Sequence, residues 1–480
     1  MPADDPKDPA DPGDNSQSGN GSYSDDEAPD SAGLDPATLP TAAGIGHDVA
    51  HHHHALTTPQ ERKRAFGILF VCLLAIGMGQ TLVFAVLPPI ARELGLNEFQ
   101  TTLIFSLSAL LWVMTSAFWG RRSDVMGRKP VILIGLLGFG ISTFLFALII
   151  TIGMAQLLPL TLVFPLMMLA RAIFGTFGSG SMPASQAYVA DRTTRAERAS
   201  GVAQIGAAFG LGTAIGPGVA AAMAEVHILA PFYAVSLLAI GSAVGIWLYL
   251  PERTPPKRKT EDRQQTKLKL TAPNVLPWLI VGVLISFAQS ISMQFVAFYF
   301  MDKLNVADQL ATQYVSVGLL AMALATLFAQ LALIQRFNLS VKTLLRWGSI
   351  AMITSFLMLV VGTNLGVLVS GLTLAGLGFG LIRPGLQAGA SLSVSRKEQG
   401  AMAGLIGSTA ATGHILNPFI GTPLYTLNPT YPYLMGAGLV CLVLAFASFH
   451  PLVTQMQETP DDDEEDELED HEDDEHLHPH

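Results

Sequence analysis

Twelve apolar runs, each long enough to cross a lipid bilayer, constrain this chain more than any other feature. A hydrocarbon core about 30 Å thick takes roughly 20 residues of helix. Runs of that order lie near 65–90, 99–120, 130–151, 158–182, 200–224, 230–250, 275–301, 311–335, 343–362, 366–388, 401–424 and 431–450. Gly and Pro are frequent in them, which helices bundled in lipid tolerate. The expected fold is an all-α membrane protein with twelve transmembrane helices in two pseudo-symmetric six-helix halves. Only 14% of residues are charged, against about a quarter in soluble domains.

The net charge of −11 conceals where the charges sit. Residues 1–60 carry eleven Asp/Glu against one Lys, and residues 451–480 carry fourteen with no Lys or Arg, so the stretch between them is basic. The acidic start does not read as a cleavable signal peptide. With the N-terminus placed in the cytoplasm, twenty-two Lys/Arg of the body fall on the cytoplasmic side and only Arg92 and Lys303 outside. That asymmetry places both termini on the cytoplasmic side of the membrane. The polar stretch Glu252–Thr271 divides six spans from six. The expected organisation is an acidic tail (1–60), a first half (61–250), a cytoplasmic linker (251–273), a second half (274–450) and an acidic, His-containing tail (451–480). Cys72 and Cys441 read as small core hydrophobes rather than a disulfide or metal pair.

One offset relates the halves. Shifted by 201 residues, Gly175 meets Gly376, Pro183 meets Pro384, Gln186 meets Gln387, Gly206 meets Gly407, Pro217 meets Pro418 and Pro231 meets Pro432. Shared Pro and Gln at a single offset are a stronger signal than shared Gly in Gly-rich helices. Repeated halves of this kind place a substrate site near the midplane between them.

Three segments carry more specific spacing. The loop after the second span reads Gly120-Arg-Arg-Ser-Asp124-Val-Met-Gly127-Arg128-Lys129. The fourth span contains Arg171-Ala-Ile-Phe-Gly175, and the fifth contains Gly212-Thr-Ala-Ile-Gly216-Pro217. These resemble, in turn, the loop signature, the second motif and the antiporter motif of the major facilitator superfamily. The resemblance covers roughly 62–450 and is greatest to bacterial drug:proton antiporters of that superfamily. In the fifth span Ala220 and Ala221 stand where the family pattern continues with a Gly pair, and Ala203 replaces an upstream Gly. Leu74 occupies the place of an Asp in tetracycline exporters, so a tetracycline–metal complex is not the expected substrate.

The resemblance implies a secondary transporter working by alternating access, not an enzyme, with a small organic substrate and protons as partners. Rival readings are a metabolite or siderophore exporter, a proton symporter and a non-transporting membrane sensor. Asp124 can pair with a cation or a helix N-terminus in one state and release it in another. Arg171, a permanent cation at membrane depth, should face the interior and serve coupling. No carboxylate lies centrally in any span, so His414, halfway along the eleventh, is the best titratable candidate. Gln80, Gln289 and Gln294 among Phe287, Met293 and Phe295 suit an amphipathic ligand. Arg383, at the inner end of the tenth span, would meet an anionic ligand or serve as a positive-inside residue. His51–His54 and the Asp/Glu/His run from 460 to 480 read as solvated tail rather than a metal site. No phosphate-binding loop is present, so ATP-driven transport is not expected. No resident cofactor, metal or nucleic acid is expected, and the protein should act as a monomer in the bilayer.

Overall fold

The structure, a computed structural model, describes residues 59–193, 195–252, 268–306, 308–395 and 398–455. The His51–His54 run, the acidic run from 460 to 480 and most of the linker lie outside the described residues. The described chain is helical throughout, because a lipid-embedded backbone must satisfy its polar groups within each segment. In order, the spans are Pro59–Glu93, Glu98–Met126, Arg128–Met154, Leu160–Ala190, Arg195–Ala224 and Ala230–Tyr249 in the first half. The second half has Leu276–Gln294 continued by Val296–Leu304, then Asp308–Phe328 extended through a π-helical turn to Phe337, Val341–Val361 and Leu365–Leu392. Gln399–Thr409 with Thr412–Leu427, and Tyr431–Phe449, complete it.

Eleven of these helices are continuous and apolar enough to cross a membrane on their own. The eleventh span is the exception, since it breaks at Ala410–Ala411 into two shorter helices. Polar caps start several spans. Asn97 forms a reciprocal capping box with Gln100, and Asn364 accepts from Val367 N–H at 3.0 Å. The second and fourth spans run further than the hydropathy implied, to Met126 and Ala190. Cys72 is buried as expected, whereas Cys441, expected in the core, lies on the exposed face of the twelfth span.

The packing repeats as the sequence does. The first span packs on the fifth as the seventh packs on the eleventh, and the second on the fourth as the eighth on the tenth. The third lies against the fourth and sixth as the ninth lies against the tenth and twelfth. Between the halves, the second span meets the eleventh and the fifth meets the eighth, a reciprocal pair of seams.

Candidate functional site: the interface between the halves

The two seams hold at one end of the bundle. There Arg92 forks onto Asp302 with bonds of 2.6 and 3.1 Å, and also reaches Glu98 at 2.9 Å. The Tyr425 hydroxyl donates to the same Asp302 carboxylate. One step deeper, Thr102 and Thr422 share a hydrogen bond of 2.9 Å, and Ser106 Oγ donates to the Ile415 carbonyl at 2.8 Å. Deeper again, Phe84 stacks on His414 with ring centres 5.9 Å apart and tilts against Phe105. Towards the opposite end, Gly206 and Gly210 of the fifth span and Gly404 and Gly407 of the eleventh face open space, so that a Cβ would meet no atom within 4 Å. The halves are closed at the Arg92 end and apart at the end that carries the Gly127 loop.

The fifth span is held to the first by close backbone contact. A Cβ at Gly212 would run into the Leu74 carbonyl, one at Gly77 into the Phe209 carbonyl, and one at Gly216 into Thr81 and Met78. Pro217 has no N–H, so the carbonyl of Thr213 loses its helical donor. Thr81 Oγ1, from the first span, donates to that carbonyl at 3.0 Å. Proline bends the helix, and a neighbouring hydroxyl satisfies what it frees.

The eleventh span repeats the arrangement with larger polar groups. Gly413 sits against the Ser286 carbonyl of the seventh span, as Gly212 sits against Leu74. Pro418 frees the carbonyl of His414, and Gln294 Nε2 lies 3.5 Å from it. The same amide donates to His414 Nδ1 at 3.0 Å, while Asn417 Nδ2 donates to Gln294 Oε1 at 2.9 Å. With Nδ1 accepting, the imidazole carries its proton on Nε2. Ser286 spans the helix break, since its hydroxyl donates to the Ala410 carbonyl at 2.8 Å and accepts the Gly413 N–H at 3.0 Å.

The loop after the second span is knitted within the first half. Gly127 has φ +96°, a conformation that favours glycine, and makes the turn. Arg128 pairs with Asp124 at 2.7 Å and Asp191 at 3.1 Å, and donates to Ser123 at 2.6 Å. The Lys129 N–H donates to Glu252 at 2.6 Å, and its ammonium to the Trp247 carbonyl at 2.9 Å. Gly120, by contrast, faces open space. Residues 69–418 match the family described as the Major Facilitator Superfamily, nearly three quarters of the chain. The chain belongs to the major facilitator superfamily.

Its similarity to other superfamily members extends over most of their length. It is 27% identical over 383 residues to Multidrug resistance protein 1 of Bacillus subtilis, covering 78% of this chain and 92% of that one. It is 25% identical over 380 residues to Quinolone resistance protein NorA of Staphylococcus aureus, covering 78% and 93%. Among solved structures, the nucleoside transporter NupG superposes with a TM-score of 0.65 at 14% identity, over 81% of this chain and 98% of the other, a likeness of fold. This chain is therefore a multi-pass membrane transporter of the superfamily and not an enzyme.

Within that superfamily fold the expected site residues fall into separate groups. His414 and Gln294 come together at the seam, but Gln294 is fully buried and spends its amide on His414 and Asn417 rather than lining open space. Gln80 and Gln289 are half-buried, and Gln80 Oε1 has no hydrogen-bond partner. Arg171 is 4% exposed and lies inside the first half, its guanidinium 4.8 Å from the Phe174 ring and 5.8 Å from that of Phe146. Its Nε is unpartnered, and among the described residues no carboxylate pairs with it. Gly175, one turn on, admits the Ser108 carbonyl of the second span. Arg383 is not at the helix end, because the tenth span continues nine residues beyond it to Leu392. Sequence reasoning did not find Asn417, Thr81 or Ser286, nor the pairing of Arg92 with Asp302. Asn417 left one trace: the 201-residue offset sets it opposite Gly216.

Proposed function

We propose that the protein exports small amphipathic organic compounds from the cytoplasm by alternating access, in exchange for protons. The observation that carries this reading is the one-sided contact between the halves, bonded from Arg92–Asp302 down to Ser106–Ile415 and open below. The positive-inside asymmetry makes the open end cytoplasmic, so the cavity loads from the side an exporter must sample. That orientation also puts both termini in the cytoplasm of a bacterial cell, with a monomer as the working unit. The half-buried Gln80 and Gln289 offer neutral amides of the kind that suit an amphipathic body. The names of the bacterial relatives, multidrug and quinolone resistance proteins, agree with that class.

His414 is the group we assign to proton coupling. It lies where the closed seam meets the open cavity, and its ring is held by Gln294. Arg171 retains its charge and cannot carry the proton, but a buried cation biases what happens near it. Asp124 and Arg128 belong to the switch, and their bond within the first half is the partner choice of the conformation described here. Inverted membrane vesicles provide the test. An amphipathic dye should accumulate when the lumen is acidified and leak out when the gradient is collapsed. Dye accumulation that ignores the gradient, or flux in the opposite direction, overturns the reading.

A further inference from the structure

The ion pair between Arg92 of the first span and Asp302 of the seventh joins the two halves, and each of its charges also holds a partner within its own half. The atoms show how the bonds are divided. Arg92 Nη1 donates to Asp302 Oδ1 at 2.6 Å. Arg92 Nη2 is shared: it donates to Asp302 Oδ2 at 3.1 Å across the interface and to Glu98 Oε1 at 2.9 Å inside the first half. Asp302 Oδ2 is shared as well, because it also accepts the Tyr425 hydroxyl from the eleventh span of its own half. Lys303, the next residue, is engaged elsewhere, its ammonium donating to the Val360 carbonyl of the ninth span at 3.1 Å. Neither charge of the pair is fully withdrawn from water. The side chains of Arg92 and Asp302 are 28% and 30% exposed, and a cavity of about 250 Å³ lined by Asp302, Lys303, Asn428, Pro429 and Thr430 borders the carboxylate.

Parting two charges is costly when each is left alone in a poorly solvated place. Here neither would be. As the halves separate, Arg92 Nη2 keeps Glu98, and the freed Nη1 can complete a two-pronged bond to the same carboxylate, a geometry that guanidinium and carboxylate favour. Asp302 keeps Tyr425, and Oδ2 then serves one donor instead of two. In the closed state the carboxylates of Glu98 and Asp302 also converge on one guanidinium, a like-charge approach that separation relieves. Glu98 and Tyr425 therefore stabilise the parted state more than the closed one. The bond between Arg92 and Asp302 does the opposite.

We propose that Arg92, Asp302, Glu98 and Tyr425 form a two-position latch: Asp302 holds Arg92 when the halves meet at this end, and Glu98 and Tyr425 take over the two charges when they part. Arg92 and Asp302 thereby set how often this end opens, and Glu98 and Tyr425 lower the cost of opening. The inference rests on the alternating-access reading, but its test follows the opening of this end rather than flux. The full chain, with Cys72 and Cys441 replaced by alanine and with Thr102→Cys one layer beneath the latch, is reacted in nanodiscs with a bulky maleimide. Thr102 is fully buried while this end is closed, so the labelling rate reports opening. Asp302→Asn should raise the rate about tenfold, the loss of one hydrogen-bonded charge pair, and Arg92→Gln added to it should raise it no further. Glu98→Gln and Tyr425→Phe should each slow labelling about two- to fivefold, the scale of a partly exposed pair. An unchanged rate in Asp302→Asn overturns the proposal. So does labelling in Glu98→Gln and Tyr425→Phe that is as fast as in the parent or faster, which would make both residues parts of a plain clamp. Loss of fold can only speed labelling, so the two slowed variants keep the test sharp. If the rates move as expected but dye flux ignores the proton gradient, the latch stands and the antiport reading fails.

Discussion

The fifth and eleventh spans occupy equivalent places in the two halves, yet different chemistry holds them. In the fifth, Gly212, Thr213, Gly216 and Pro217 make a seam of small residues in which backbone touches backbone and a single threonine hydroxyl serves the carbonyl freed by proline. In the eleventh, the same offsets bring Gly413, His414, Asn417 and Pro418. There the freed carbonyl, an imidazole and a carboxamide all converge on Gln294. The first seam is sealed by van der Waals contact, which has two outcomes, packed or apart. The second contains an imidazole, a side chain that can take up a proton, where the first has a threonine. One scaffold copy thus supplies a bearing surface, and the other is the one to which we assign the proton coupling proposed above.

The largest expected effect tests whether the seams really correspond. Gly212→Val and Gly413→Val both drive a side chain into a neighbouring backbone and should each cost about 3 kcal/mol or more, with most folded protein lost. Gly206→Ala and Gly407→Ala, which face open space, should leave yield in detergent unchanged. A well-folded Gly413→Val protein, measured by size-exclusion profile and melting temperature, would break the equivalence.

The next effect belongs to one half only. Asp124→Asn should abolish transport while substrate affinity stays within a few-fold, because the loop lies outside the cavity. The matching turn of the second half has Asn338 in the left-handed region and Ser340 as helix cap instead. Ser340→Ala should cost about 1 kcal/mol of stability and leave transport intact. Equal loss of flux in both variants would mean that the two loops share the switch.

A smaller effect addresses the polar seam itself. If His414 couples protons to substrate, His414→Gln should flatten the pH dependence of efflux and remove coupling worth about 1–3 kcal/mol, or 5–150-fold. Matching pH profiles for the variant and the native protein, with equal proton uptake per substrate, would reduce the imidazole to packing. Thr81→Val should matter least. It leaves the Thr213 carbonyl without its donor, a loss of about 0.6 kcal/mol for an average hydrogen bond between membrane helices. A drop of several degrees in melting temperature would show the two seams to be less different than their residues suggest.

Much of this was legible in the sequence, and what was not has a common cause. Hydropathy alone exposes the spans, since twenty apolar residues have few other uses, and the shared Pro217 and Pro418 mark the repeat. The same offset placed His414 opposite Thr213. Asn417 in that register reads as a missing glycine, and only the approach of Gln294 from 123 residues away gives it a role. Arg92 and Asp302 each look like an ordinary charge at a span end, and nothing local announces their pairing across 210 residues. The break at Ala410–Ala411 runs against propensity, because alanine is the best helix former. It is a tertiary feature, met by Ser286.

That serine sets a mechanical difference between the halves. The fifth span is one unbroken rod through the corresponding position at Phe209, so it transmits a tilt along its whole length. The eleventh is two rods splinted by one hydroxyl, which bonds Ala410 on one side of the gap and Gly413 on the other. Two such bonds contribute about 1–3 kcal/mol together, a few times thermal energy. On the alternating-access reading proposed above, the compliance would be concentrated at this joint. The lower rod can swing while the upper one, pinned through Ile415 and Thr422 to the second span, stays in register. A rigid lever in one half and a jointed one in the other would let the loop-end mouth close by bending before the Arg92 end has to let go.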